Sequence, residues 1–599
     1  MCVFTGCVVQ KHPVRSDINE PDYLDVLLRE TWDYLDDHLA PQTGFPTDSQ
    51  CPGGVTNTTN IGLYLASVGP AVKMGYIKHK DAYTRIKKIL DSLYALDSKR
   101  GFLPNWISVE GRTSIPAGVF AVSDFNKLIT GLILVRQFFP GLEKEVSGLI
   151  ERVQWSWLYD NVSGKMHWGY DLMNDSPVGL TDLWLAADTR MAMFYTVACG
   201  AAPPQLWDMA NRNIINADGL QFYSPGYEFG GLFMSAIGSI FLDEKGTEVG
   251  KSIADLAWHQ IREAKRRGLP LWGWSNCNIP GRGYTEGGFL PWWVVTPHAS
   301  ALVIEYYPGY VLKNLKTFEE MGLRKPLKEG GLRYGFRDSV DLRSGMTDNR
   351  YLCLDQAMLF LSIINYVTSG MVREYFRKDP LVSNGYKLLG DRLKNDPSLI
   401  GQWRARDISV PEAVGTDGTA EDVCTVNMVN NKDIVVQVQK WGDNSNIDAY
   451  ISEDGLVVDF DLGADGSGEV EARCMIPVVD MRVHGDVSIK CMGESARGYY
   501  GIRMYLRDDQ GQSKYAFLNG IQTEVNEFEI QEKNWLGIFA RPNAVNTLVF
   551  KFWGRPWYYQ NERTRIKKGK LVVKSISFNR QKAIDIKPRM RERNPDTGR

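Results

Sequence analysis

The stretch RYLCLDQAMLFLSIINY, residues 350–366, decides the fold. It has the length of a helix rather than a strand, and read as a helix it is apolar on nearly every face. Such a helix must be enclosed by other elements. Asp355 sits near its start, among Leu352, Cys353, Leu354, Met358, Leu359 and Phe360. An isolated carboxylate in those surroundings is costly unless it is paired, hydrogen-bonded or protonated.

Residues 20–395 read as helix after helix, of two kinds. Residues 81–96 carry Ile86, Ile89, Leu90, Leu93 and Leu96 at the spacing of a half-buried helix. Residues 124–139 place Leu128, Leu132, Val135 and Phe139 on one face. Further helices are expected over 22–39, 58–74, 144–157, 181–198, 204–214, 228–241, 247–266, 298–321, 351–366 and 379–394. Some are amphipathic; others are apolar almost all round. A half-buried class and an enclosed class fit two concentric layers, hence an (α/α)6 toroid, an all-α ring of inner and outer helices. The connectors GFLPNW (101–106), GKMHWGY (164–170) and WGWSNCNIPGRGYTEGG (272–288) are expected to line a pocket at one end.

The toroid is assigned to 21–395 and a polar, Gly- and Pro-punctuated linker to 396–431. From 432 to 580 the chain alternates as strands do. GIRMYLRD (501–508) sets Ile502, Met504 and Leu506 against Arg503, Tyr505 and Arg507, and NTLVFKFW (546–553) and KLVVKSISF (570–578) are β-rich. The expectation is an antiparallel β-sandwich of jelly-roll type. Residues 581–599 form a basic tail. Residues 1–20 are read as a tether. VFTGC resembles the end of a bacterial lipoprotein signal, with Cys7 as the lipidated residue, which would place the protein at the cell envelope or outside the cell; an ordinary frayed terminus is the alternative.

A net charge of −2 gives no electrostatic reason to expect a nucleic-acid partner. No run of 18 apolar residues predicts a transmembrane helix. The nine cysteines are widely spaced without a CxxC, and the seven histidines form no HxxxH pair, so no disulfide framework, metal site or cofactor is expected. There is no GxSxG, HExxH or phosphate-binding glycine loop. The chain is rich in tryptophan and tyrosine, whose faces suit sugar rings.

That leaves carboxylates in Gly- and aromatic-rich surroundings. Glycoside hydrolysis needs two, one protonated and one ionised. The candidates are Asp124, Asp188, Glu228, Glu286, Asp348 and Asp355. Asp124, Asp188 and Asp355 can equally cap the helices that follow them, and Glu228 can favour a helix start through the dipole. Glu286 and Asp348 can be ordinary loop residues.

Seven ordered stretches weigh the choice. They are TNTTNIGLYLASVGPAVKMGYI (56–77), GFLPNW, VSDFNKLITGLILVRQFFP, ADTRMAMFYTVACG, SPGYEFGGLFM, RRGLPLWGWSN and YGFRDSVDLRSGMTDNRYLCLDQAMLFLSIINYVTSG (334–370). Together they resemble the glucoamylase-like domain of endo-β-1,2-glucanases and cyclic β-1,2-glucan synthases over roughly residues 55–390. The resemblance implies an (α/α)6 barrel that hydrolyses a β-glucan, β-1,2-linked by default, with inversion. It implies Asp188 as general acid, Asp355 as general base taking a proton from water, and Glu228 and Asp124 as further catalytic carboxylates. Substrate contacts are expected from Trp106, Trp168, Arg190, Trp272, Trp274, Arg282, Tyr284, Glu286, Trp292 and Arg337; each Trp can equally be barrel packing.

The chain also departs from the pattern. Asn276 stands where the synthase relatives carry a glutamate, and Ala357 where a glycine follows the Asp-Gln pair, which leaves transglycosylation and the linkage open. Two alternatives remain. A polysaccharide lyase on the same ring would use Tyr284 or His298 as base with Arg282. A non-catalytic glycan-binding protein would keep the fold alone. In the sandwich, Trp441, Trp535 and Trp557-Tyr558-Tyr559 form either a sugar platform or a structural face.

Overall fold

A computed structural model of the chain describes residues 21–579 apart from 51–53, 112–117, 173, 179–182, 218, 226–230, 267, 286–292, 328–330, 405–422, 442–444, 463–468, 481–485, 495–501, 508–512, 519–525, 531–543 and 554–567. The tether with Cys7, Glu228, Glu286, Trp292, Trp535, the 557–559 aromatics and the basic tail lie outside the described residues.

The helical part runs α1 (Pro21–Asp37), α2 (Thr58–Met74), α3 (His79–Tyr94), α4 (Val122–Phe138), α5 (Glu143–Glu151), α6 (Arg190–Ala198), α7 (Gln205–Asp208), α8 (Leu232–Ala236), α9 (Glu248–Arg266), α10 (Pro297–Ala301), α11 (Pro308–Glu320), α12 (Cys353–Val367), α13 (Met371–Arg377), α14 (Pro380–Leu389) and α15 (Pro397–Arg404). The even-numbered helices from α2 to α12 form the inner ring. Helix α2 packs on α4, α4 on α6, α8 on α10, α10 on α12 and α12 back on α2. Arg190 of α6 meets the turn after α8 through Ser239 and Glu244. Behind them, α1 lies on α12, α3 on α2, α5 on α4, α9 on α8, α11 on α10 and α14 on α6. Burial follows the layers: α2 is buried from Thr58 to Ala71, whereas α3 buries only Ala82, Ile86, Ile89, Leu90 and Leu93.

The expected helix over 298–321 is two helices. Pro308 forces Tyr307 out of the helical region, and a second helix starts at Pro308. Helix α13, absent from the expected set, lies across the C-terminal ends of the inner ring. Tyr375 stacks on Phe138 at 3.8 Å between ring centroids, and Arg373 bonds Ser239 O at 3.1 Å and Glu305 at 2.7 Å. At the next turn Asp379, fully buried, accepts from Arg136 Nε and Nη2 at 2.9 and 2.8 Å and caps α14 through Leu381 N.

Two elements form within 396–431, the stretch expected to be a linker. Residues 397–404, read as linker, form α15, with Trp403 buried against Tyr306 and Tyr307. Residues Val423–Asn427, also read as linker, form a strand paired with Lys568–Asn579. The C-terminal part holds two antiparallel sheets. One runs in the order 446–452, 455–461, 568–579, 486–494, 526–530, and the other 435–441, 469–480, 544–553, 502–507, 513–517. Alternating residues of both, among them Leu456, Val458, Leu571, Val470, Ala472 and Phe550, build one core, and Phe460 stacks on Phe552 at 4.2 Å. Ile502, Met504 and Leu506 face that core as expected.

Candidate active site

The inner helices start at one end of the ring, and hydrogen bonds, ion pairs and ring contacts link their starts around that end. Asn57 caps α2 by accepting from Asn60 N at 2.7 Å. Thr59 Oγ1 then donates to Asp124 Oδ1 at 2.7 Å, in the first turn of α4. On α4, Asn126 Nδ2 donates to Asp188 O at 3.0 Å, and Lys127 ion-pairs with the Asp188 carboxylate just before α6. Lys127 Nζ also lies 5.8 Å from the Phe233 ring centroid in α8. The segment 272–276 bridges onward: Trp274 O accepts from Leu232 N at 3.3 Å, and Gly273 O from Thr296 N at 2.9 Å, at the entry to α10. His298 of α10 reaches Asp355 of α12, and Cys353 N donates to Asp48 O at 3.0 Å, whose side chain returns to Asn60 of α2.

The close approach of α2 and α4 depends on two glycines. A Cβ on Gly62 would stand 2.1 Å from Lys127 O, and one on Gly131 2.1 Å from Gly62 O. With no side chain between the backbones, Thr59 comes within reach of Asp124.

Two acidic groups result. In the first, Asp124 accepts from Thr59 and from Asn105 Nδ2 at 3.0 Å, and Asn105 Oδ1 accepts from Ala121 N at 2.6 Å, which pins the start of α4. Burial pushes the Asp124 carboxyl above its ordinary range, against the pull of Lys127. Asp188 and Lys127 are both buried.

The second group is Asp338, Asp355 and His298, all buried, with Asp48 and Asp348 near by. A short sheet assembles it. Strand Val294–Val295 leads into Thr296 and His298, and it pairs with Val340–Asp341, which follows Asp338; that strand pairs in turn with Met346–Thr347, which precedes Asp348 and α12. Thr296 Oγ1 bonds Asp338 O at 2.6 Å and His298 Nδ1 at 2.8 Å, and His298 Nδ1 lies 3.3 Å from Asp355 Oδ1. Asn278 N donates to Asp338 Oδ2, and Ser339 Oγ to Asn278 O. Burial lowers the His298 pKa to about 3, so its imidazole is neutral. Burial and then the Asp338 charge hold the Asp355 carboxyl well above its ordinary range; burial raises Asp338 as well.

Neither Asp124, Asp188 nor Asp355 is an N-cap. Those positions are Ala121, Thr189 and Leu352, and Asp124 and Asp355 lie one turn in. Among the expected sugar contacts, Trp106 is 43% exposed, next to Asn105. Trp168 is partly exposed, and its carbonyl accepts from Val122 N at 2.8 Å at the start of α4. Tyr284, 46% exposed, and exposed Arg282 sit on the hairpin Cys277–Ile279/Gly283–Thr285 that carries Asn278.

Four of the expected contacts are buried or held by neighbours in the protein. Arg190 is fully buried and grips Glu244 through Nε and Nη2 at 3.0 and 2.9 Å. Trp274 is fully buried, and Gln260 brackets its backbone N and O at 2.9 and 3.0 Å. Trp272 is buried, with its backbone held by Asn314 at 3.2 and 2.7 Å. Arg337 is spent on the carbonyls of Gly322 and Leu323.

Sequence reasoning missed Asp48, Thr59, Asn105, Lys127 and Asp338. Lys127 stands three residues after Asp124, on the same helix face, and that spacing could have flagged it. Asp338 lies inside the quoted stretch 334–370 but in a turn, where an aspartate draws no notice.

Comparison with known proteins agrees with this architecture. Residues 201–380 match the family described as "Putative glucoamylase", and residues 27–171 a family described as a protein of unknown function, DUF3131. The chain is 24% identical over 258 residues to the cyclic beta-(1,2)-glucan synthase NdvB of Rhizobium meliloti (strain 1021); the match covers 39% of this chain and 8% of that protein. A structure described as a "putative glucoamylase" from Bacteroides fragilis aligns with TM-score 0.53 and 21% identity, over 61% of this chain and 96% of its own. The endo-beta-1,2-glucanase from Chitinophaga pinensis, with sophorotriose and glucose, aligns with TM-score 0.52 and 21% identity, over 61% and 97%. The helical part of the chain thus shares the helical-toroid fold of these structures and is followed by a β-rich C-terminal region.

Proposed function

We propose that the protein is a glycoside hydrolase that cleaves a β-glucan, β-1,2-linked, with inversion. One observation carries the reading: the starts of the inner helices and the segments leading into them bring two separate pairs of carboxyls, Asp355 with Asp338 and Asp124 with Asp188, to one end of a ring whose fold is shared with endo-β-1,2-glucanases. Two carboxyls in unlike environments are what glycoside hydrolysis needs. The Asp124–Lys127–Asp188 group carries a cation; the Asp338–Asp355 pair has none in contact among the described residues. Exposed Trp106 and Tyr284 supply faces for sugar rings. Glu228, Glu286 and Trp292, outside the described residues, are assigned to the site on the resemblance alone.

The lyase reading is weaker. A His298 with its pKa near 3 is a poor base for proton abstraction. The sandwich pairs its first strand with its last, which supports a jelly roll, and we assign it glycan contact or support of the ring. Cys7 is proposed as a lipid anchor at the bacterial envelope; a Cys7→Ser variant that stays membrane-bound in cells would refute it.

The decisive experiment is a screen over linkage-defined glucans, with NMR of the first-formed anomer. Release of sophoro-oligosaccharides as the inverted anomer is expected. Inertness towards every glucan, or retained stereochemistry, overturns the reading.

A further inference from the structure

We propose that Asn105 is a positioning residue: it holds Asp124 as a fixed, ionised acceptor for the hydroxyls of the sugar ring that stacks on Trp106, the next residue in the chain. The proposal rests on the hydrolase reading above.

A backbone neighbour sets the orientation of the Asn105 amide. Ala121 N can only donate, and it lies 2.6 Å from Asn105 Oδ1. The other end of the amide, Nδ2, therefore faces Asp124 Oδ2 at 3.0 Å and donates to it. Thr59 Oγ1 donates to the second oxygen at 2.7 Å. Each oxygen of Asp124 thus has a donor from a different element, which fixes the plane of the carboxylate and favours its ionised form. Lys127 and Ser123 of α4 pull the same way, whereas burial and then the Asp188 charge push towards protonation. Each oxygen keeps a lone pair for a second donor.

Asn105 is itself anchored on two sides. Its carbonyl accepts from Thr58 N at 3.2 Å at the start of α2, and its N–H donates to Val119 O at 3.5 Å in the strand that leads into α4. Trp106 pairs with Asn57, the N-cap of α2, and Ile107 and Ser108 beyond it are buried. The strand Trp106–Ser108 is therefore fixed in place, with Trp106 left exposed. Asp124 is partly exposed as well, whereas Asp188, Asp338 and Asp355 are buried. One residue offers a flat apolar face, and the residue before it holds the most open of these four carboxyls. A pyranose ring uses that combination: its C–H face packs on an aromatic ring, and its hydroxyls donate to an acceptor. Hydrogen bonds to sugar hydroxyls strengthen as positive charge develops on the ring, so the loss of a well-placed acceptor falls on kcat.

The test measures kcat, KM and Tm from pH 4 to pH 9 on linear β-1,2-glucan. Asn105→Ala is expected to lower kcat about 10–100-fold, with KM within about threefold of wild type. It should also move the acid limb of the kcat/KM profile to higher pH, because Asp124 loses a donor that favours its charge. Trp106→Ala should raise KM and leave that limb in place. Asn105→Asp sets an oxygen against Asp124 Oδ2 and should lower both kcat and Tm. Adding Asp124→Asn to it reverses donor and acceptor, and should recover most of the Tm while kcat stays low, because the charge has left its place. A lower Tm with the wild-type kcat and pH profile in Asn105→Ala marks a purely structural residue and overturns the proposal. So does full activity in the exchanged pair, or no recovery of Tm in it. The Tm exchange needs no substrate, so the two readings fail separately: a wild type inert on every glucan defeats the hydrolase reading, and a failed exchange defeats this one.

Discussion

Thr59 and Asn60 are consecutive residues that hold two different carboxylates: Thr59 Oγ1 donates to Asp124 at 2.7 Å and Asn60 Nδ2 to Asp48 at 2.9 Å. Asp48 acts in turn on Asp355. One helical turn therefore sets the spacing between the two acidic groups. Whatever moves the start of α2 moves both.

Gly62→Ala tests that coupling. The new methyl group would meet the Lys127 backbone and push α2 from α4. Overpacking of this kind costs about 1–3 kcal/mol. A shift of an ångström in the carboxylates should lower kcat by about 100-fold. Thermal melts and kcat check both.

Arg190 distinguishes support from substrate contact. Arg190→Met leaves Glu244 buried without its guanidinium, and a loss of about 3–5 kcal/mol is expected. Adding Glu244→Gln should recover part of it. Denaturant titration gives the stabilities, and KM of whatever remains folded should stay near wild type.

Two tryptophans should behave oppositely. Trp106→Ala, at an exposed position, should raise KM about tenfold, worth roughly 1.4 kcal/mol, with unchanged Tm. Trp274→Ala, in the core, should cost about 3–5 kcal/mol. Oligosaccharide titration and melts separate the two.

Stability should fall as pH rises. Asp338 and Asp355 bind protons more tightly folded than unfolded. Their contribution is fully present below the ordinary carboxylate range and is lost as pH climbs through the raised folded values. Tm of wild type should drop between pH 5 and pH 9, and a double Asp338→Asn/Asp355→Asn variant should flatten that slope.

The ring was legible because its signal is periodic. The reading of 58–74 coincides with α2, and 351–366 differs from α12 by two residues at the start and one at the end. Asp355 drew attention because a carboxylate in an apolar run is rare in itself. Asp338 and Asp48 were not legible: they sit in turns, where aspartate is ordinary, and only pairing of Val294–Val295 with Val340–Asp341 brings Asp338 to His298. Arg190 misled for the converse reason. An arginine beside a candidate acid looks like a sugar ligand, and its partner Glu244 lies 54 residues away in sequence. The split of 298–321 was readable from Pro308, and the apolar residues on both sides hid it.

Helix α13 shuts the far side of the ring, with Tyr375 stacked on Phe138 and Arg373 reaching Ser239 and Glu305. A polymer has one doorway. On the proposed hydrolase reading it is not threaded through the ring like a cord through a bead: a long glucan lies across the entrance, and both fragments leave by the way the chain came in.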